Sequence, residues 1–96
     1  MNIQKMMAQA QAMQSKMQDE LAAMKIEASS GGGMVTVEMS GAKDVLSVRI
    51  DPECVDREDV TMLQDLVLAA CREASRRVDE AVQQKTAALL SGMMPR

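Results

Sequence analysis

The chain predicts an α+β fold of order α-β-β-β-α, in which a long N-terminal helix and a long C-terminal helix flank a three-stranded antiparallel sheet. Three observations predict it. Apolar residues recur at helical spacing at both ends, they alternate with polar residues in the middle, and turn-forming residues mark each change of period. With 96 residues, no internal repeat and no linker-like stretch, the whole chain reads as a single domain, residues 1–96.

The first helix is predicted over residues 3–24, where Ile3, Met6, Ala10, Met13, Met17, Leu21 and Met24 form a stripe down one side. Its other residues are mostly good helix formers, and neither Gly nor Pro interrupts it. At about 1.5 Å per residue it spans roughly 33 Å. That exceeds a small sheet, so its outer end is expected to project or to meet another helix. A strand follows over 25–29, with Ile26 and Ala28 alternating against Lys25, Glu27 and Ser29. Gly31, Gly32 and Gly33 supply the left-handed backbone of a tight reversal. The second strand is predicted over 34–40 and the third over 44–51, joined by a turn at Gly41–Lys43. The third places Leu46, Val48 and Ile50 on one face, against Val45, Ser47 and Arg49 on the other. Pro52 in Asp51-Pro52-Glu53 ends it, having no N–H to donate to a ladder. Asp56 is a candidate N-cap for a second helix over 57–90, and Gly92 to Pro95 are expected to stop it in a frayed tail.

The first half of that second helix is apolar nearly all round, which calls for burial on several sides. With a hydrophobic content of 47% in so short a chain, a second copy is the expected cover. The candidate interface residues are Val60, Leu63, Leu66, Val67 and Ala70. Absences narrow the function. The chain has no His and no Phe, Tyr or Trp, which removes His-based triads, His-containing zinc sites and aromatic platforms for unstacked bases. Cys54 and Cys71 lack the spacing of a disulfide framework or metal knuckle and read as small hydrophobes. The glycine run opens onto a strand rather than a helix, so it is no phosphate loop, and the acid pairs Asp51/Glu53 and Glu58/Asp59 are explained by capping. No catalytic residue, metal, cofactor or small-molecule substrate is expected, and the chain reads as a cytoplasmic non-enzyme without a membrane-binding face.

Charge is uneven along the chain. The net value is −3, yet Met1–Gln18 holds Lys5 and Lys16 and no acid, whereas Asp44–Asp65 holds seven acids against Arg49 and Arg57. In the second helix, Glu73 with Arg77 and Arg76 with Glu80 stand four residues apart and can neutralise one another. Arg72 and Lys85 have no acid three or four residues away, so with Lys5 and Lys16 they are the freest cations on the helices.

The feature order is a Met/Gln-rich helix, Ser29-Ser30-Gly31-Gly32-Gly33-Met34-Val35, Gly41, Val45-Leu46-Ser47-Val48-Arg49-Ile50-Asp51-Pro52-Glu53, then Asp59-Val60 and Met62-Leu63-Gln64-Asp65-Leu66-Val67. It closely resembles the YbaB/EbfC family of bacterial nucleoid-associated proteins over nearly the whole chain. The resemblance implies a homodimer with projecting, tweezer-like helices, double-stranded DNA as partner, a place in the nucleoid, and roles in chromosome organisation and gene regulation. Lys5, Lys16, Arg72 and Lys85 are then the leading DNA contacts, with Arg76 and Arg77 behind them. The competing reading is a helical protein-interaction adaptor whose Met-lined surface holds a partner, without physiological DNA binding.

Overall fold

The computed structural model describes residues 2–93 and has the expected element order. It comprises α1 (Ile3–Ala23), β1 (Lys25–Ser30), β2 (Val35–Ser40), β3 (Val45–Ile50), a 3-10 turn (Pro52–Cys54) and α2 (Val60–Met93). The strands lie in the order β1-β2-β3, antiparallel throughout. Gly31, Gly32 and Gly33 take φ of 61°, 70° and 96°, the left-handed backbone that a side chain disfavours.

Register puts Ile26, Ala28 and Ser30 of β1 beside Met39, Val37 and Val35 of β2, and Val48 and Ile50 of β3 beside Val37 and Val35. This is the apolar face. The opposite face carries Glu27, Ser29, Thr36, Glu38, Ser47 and Arg49, with Arg49 paired to Glu27 across the sheet. The expected alternation in β3 breaks at one point. A bulge beside Glu38 and Met39 sets Val45, not Leu46, opposite Met39.

Helix α2 lies over β1 and β2. It can approach closely because the residues facing the sheet are small: Ala70, Ala74 and Val78 are buried against Ala28, Val35, Val37 and Met39. The Ser30 hydroxyl donates to the Leu66 carbonyl at 2.6 Å and fixes where the helix crosses the β1 end. Ala70 is wholly buried by its own sheet, so it is a core residue and not one a second copy can reach. β3 receives little of this cover, and all six of its residues are exposed. Of the two cysteines, Cys54 is buried behind the Met34 carbonyl and Cys71 is half-buried.

Two helix boundaries differ from expectation. The Asp56 carboxylate accepts from Glu58 N at 2.9 Å, closing a local turn, while Asp59 accepts from Met62 N at 3.2 Å and is the true N-cap. Two Asp residues three apart each offer the backbone a competing hydrogen bond, and the later one starts the helix at Val60 rather than at 57. The helix then continues through Gly92 to Met93, past the expected end at 90, and the expected fraying at Met94–Arg96 lies outside the described residues.

Candidate nucleic-acid interface

The chain divides into a body and an arm. Its radius of gyration is 18.9 Å and its extents are 68 × 28 × 16 Å, against roughly 13 Å for a compact domain of this length. The body is the sheet with the first two-thirds of α2. The arm is α1 together with the last part of α2.

Helix α1 is attached to the sheet at its root and beyond it meets the last part of α2. None of its residues is buried. Asn2 caps its start by accepting from Gln4 N at 3.0 Å. At its end the Leu21 carbonyl accepts from Met24 N at 3.2 Å and from Gly41 N at 2.9 Å. A Cβ on Gly41 would sit 2.6 Å from that carbonyl oxygen, so glycine is required there by close approach of α1. The left-handed residue of the same turn is Lys43, with φ 67°, where Ser40 Oγ accepts from both Ala42 N and Asp44 N at 3.2 Å.

The two helices of the arm run side by side. The Lys85 ammonium lies 3.2 Å from the Glu20 carboxylate, and Met13, Lys16, Met17 and Leu89 line the cleft next to that pair. From Thr86 to Gly92 α2 is exposed on all sides. Ile3, Met6, Met7 and Met13 of α1 and Leu89 and Leu90 of α2 leave large apolar side chains in solvent.

Charge is sorted along nearly the same division, with Asp19 and Glu20 at the root of α1 as the exceptions. All fourteen acids of the chain fall between residues 19 and 80, accompanied by seven bases, while the two flanking segments hold Lys5, Lys16, Lys85 and Arg96 and no acid. The body is therefore strongly anionic and the outer arm purely cationic. Lys5 and Lys16 are exposed and take part in no ion pair among the described residues. Eleven residues apart on α1, they come round to the same helix face, about 16 Å from one another.

The other expected contacts divide. Lys85 is not the free cation that its local sequence implies, because its partner Glu20 comes from the other helix. Arg72 is exposed and unpaired among the described residues, but it stands on the body. Arg76 and Arg77 are bound up in local structure. Arg76 holds Glu73 at 2.6 Å and Glu80 at 2.7 Å; Arg77 holds Glu73 at 3.1 Å and donates to the Glu27 carbonyl of β1 at 3.0 Å. Hydrogen bonds from Arg76, then from Arg77, hold the Glu73 carboxyl down at about 2, and the same cluster raises Arg76 above its ordinary value. Of the arginines expected as reserve DNA contacts, Arg77 thus fastens α2 to the β1 edge of the sheet, while Arg76 is tied within α2. Sequence spacing reveals Glu73–Arg77 and Arg76–Glu80, two of the three pairs within α2, but it carries no signal for Arg77 on β1, Lys85 on Glu20, or Lys43 on Asp79 at 2.8 Å.

A second surface lies on the body. Where α2 leaves β3 uncovered, Ile50, Leu63, Val67, Leu68 and Cys71 line a shallow, almost wholly apolar groove of about 460 Å³. Val60 is exposed nearby in sequence, at the start of α2, and Leu66 turns inward, close enough to Gly31 that a Cβ there would lie 2.8 Å from it. Of the expected interface residues, Leu63 and Val67 therefore face this groove.

The sequence profile of the YbaB/EbfC DNA-binding family matches residues 1–93. The chain belongs to that family. It is 50% identical over 92 residues to a nucleoid-associated protein of Koribacter versatilis, covering 96% of this chain and 91% of the relative. It is 47% identical over 96 residues to one of Clostridium novyi, covering 97% and 84%. The crystal structure of an uncharacterized protein of Helicobacter pylori superposes with a TM-score of 0.73 at 22% identity, covering 94% of this chain and 98% of that one, and so shares the fold. No helix among the described residues is long and apolar enough to cross a membrane.

Proposed function

We propose that this YbaB/EbfC protein binds double-stranded DNA as a homodimer, with low sequence selectivity, through its arms, and that it works in the bacterial nucleoid in chromosome organisation and gene regulation. One observation carries the reading: every acid is confined to residues 19–80, so the outer arm presents only cations to a polyanion. Phosphate neutralisation supplies most of non-specific DNA affinity, and an arm without base-stacking aromatics or an ordered base-reading surface contributes little discrimination. Lys5 and Lys16 are the primary contacts. Gln4, Gln9, Gln11 and Gln14 beside them can donate to phosphate and sugar oxygens. Arg72 adds a contact from the body, and Arg76 and Arg77 act through the fold.

The dimer rests on the uncovered half of the sheet. The chain exposes 7424 Å², against roughly 5,400 Å² for a compact monomer of its mass. Part of that excess is the arm, and part is the apolar groove lined by Ile50, Leu63, Val67 and Leu68, which a second copy would cover. Two arms on one duplex then raise effective concentration without new contacts. Nucleoid-associated relatives in several bacteria support the cellular assignment.

A mobility-shift titration on duplex DNA at several salt concentrations tests the reading. Binding is expected at low salt, weakening as salt rises. Replacing Lys5→Glu with Lys16→Glu should weaken it at least about tenfold, with the melting curve unchanged because both sites are exposed. Absence of any shift at low salt and micromolar protein refutes DNA binding. It would favour the adaptor reading, which the exposed Ile3, Met6, Met7 and Met13 support as a protein-docking stripe.

A further inference from the structure

The arm contains one contact that works against DNA binding. Asp19 and Glu20, both at the root of α1, are the only acids on α1, and α2 has none after Glu80. Lys16 stands one turn before Glu20, at the spacing where lysine and glutamate pair on a single helix. Glu20 instead reaches across to Lys85 on α2, 3.2 Å away. Among the described residues, Lys85 is the one lysine of the outer arm with an ion-pair partner, and that partner is a carboxylate from the other helix. With no residue of α1 buried, this pair and the apolar cleft beside it join α1 to α2, beyond the Gly41–Leu21 joint that ties α1 to the sheet.

We infer that Glu20 is an internal stand-in for a DNA phosphate. It occupies Lys85 in the free protein and yields it when a duplex lies along the arm, so that Lys85 becomes a contact and α1 is released to turn about its root. The inference rests on the DNA reading above and names a regulatory residue within that same site. Both partners are partly exposed, Lys85 at 32% and Glu20 at 41% of their side-chain surface. A pair in that setting shifts an equilibrium only a few-fold. Each lysine placed on B-DNA, by contrast, releases about 0.9 of a condensed counterion. At low salt the exchange therefore runs toward the phosphate. It leaves the Glu20 carboxylate beside the DNA, where like charge opposes it, and the opposition is relieved when the root of α1 moves away. Glu20 accordingly lowers affinity, biases the arm toward its closed position without DNA by a few-fold, and couples arm opening to DNA.

The test is a double-mutant cycle on duplex DNA, with log affinity followed against log salt. E20Q should bind roughly two- to fivefold more tightly per arm near 0.1 M salt, because Lys85 no longer has to be taken from a carboxylate. K85Q should bind more weakly, with a slope shallower by about 0.9 for each lysine lost. In the K85Q background the gain from E20Q should vanish. Equal binding by E20Q and wild type overturns the inference. So does an equal gain with and without Lys85, which would make Glu20 a mere part of the long-range field. All of these sites are exposed or partly so, and matched melting curves establish that each variant is folded. If wild type gives no shift at any salt, the DNA reading itself fails and this inference falls with it. A shift with a null cycle removes this inference alone.

Discussion

The body and the arm are built on opposite rules. In the body, Ala70, Ala74 and Val78 are buried on Val35, Val37 and Met39, and the cations Arg76, Arg77, Lys43 and Arg49 are each held by a carboxylate. In the arm nothing is buried from α1, large apolar side chains face solvent, and Lys5 and Lys16 have no partner among the described residues. Stability is thus concentrated in one half and charge for a partner in the other. The separation lets an acidic protein approach DNA. On the proposed reading, its field repels a duplex from most of the body and leaves the arm as the main favourable approach, a matter of local patches and not of net charge.

The largest effect is expected where the body would lose the proposed partner copy. Leu68 is half exposed in the apolar groove and lies outside the buried core, so Leu68→Asp should leave the subunit folded while placing a charge in the proposed interface. Sedimentation should then report a monomer. Duplex affinity should fall by roughly 10²-fold or more, because the two arms no longer act together. A dimer that survives the substitution would move the interface elsewhere.

A smaller effect is expected at the joint between the two halves. Gly41→Ala puts a Cβ 2.6 Å from the Leu21 carbonyl oxygen, and something must shift. The root of α1 is the cheaper thing to move, since α1 contributes no buried residue to the core. We expect DNA affinity to fall several-fold while the denaturation midpoint changes by less than about 1 kcal/mol in stability. A large loss of stability with unchanged relative affinity would show instead that the joint belongs to the body.

Much of the body was legible in the sequence because its cues are local. Alternation gives the strands, three consecutive glycines give the left-handed reversal, and Pro52 ends β3. The misreadings occur where two local signals compete or where the cause is distant. Asp56 and Asp59 are equally good caps by composition, and only the turn closed by Asp56 onto Glu58 N decides between them. An all-round apolar helix does not declare which side its own sheet takes. The small residues Ala70 and Ala74, one turn apart, were the available sign that this side is the close-packed one. In the arm, the acid-free stretch to Gln18 was plain, but the pairing of Lys85 with Glu20 depends on two helices lying together, which no spacing within either helix encodes.

The finest test of the division is by pH, at the cluster that ties the body's arginines. Arg76 and Arg77 hold the Glu73 carboxyl at about 2, below its ordinary 4.5. A carboxyl whose value is depressed in the fold stabilises it above the unfolded value. That contribution is whole above about 4.5 and disappears as pH falls through about 2. Since the group is still partly exposed, the effect on stability is small. Melting temperatures of wild type and Glu73→Gln, followed across this window, should converge toward the acid end, with wild type losing more. Curves that stay parallel would mean the cluster contributes nothing to the fold. Above the window, both arginines stay bound to Glu73, so the DNA affinity of wild type should show no step attributable to them, while Glu73→Gln should leave Arg77 without a carboxylate, Arg76 remaining on Glu80, and steepen the salt dependence slightly. The body would then begin to behave like the arm.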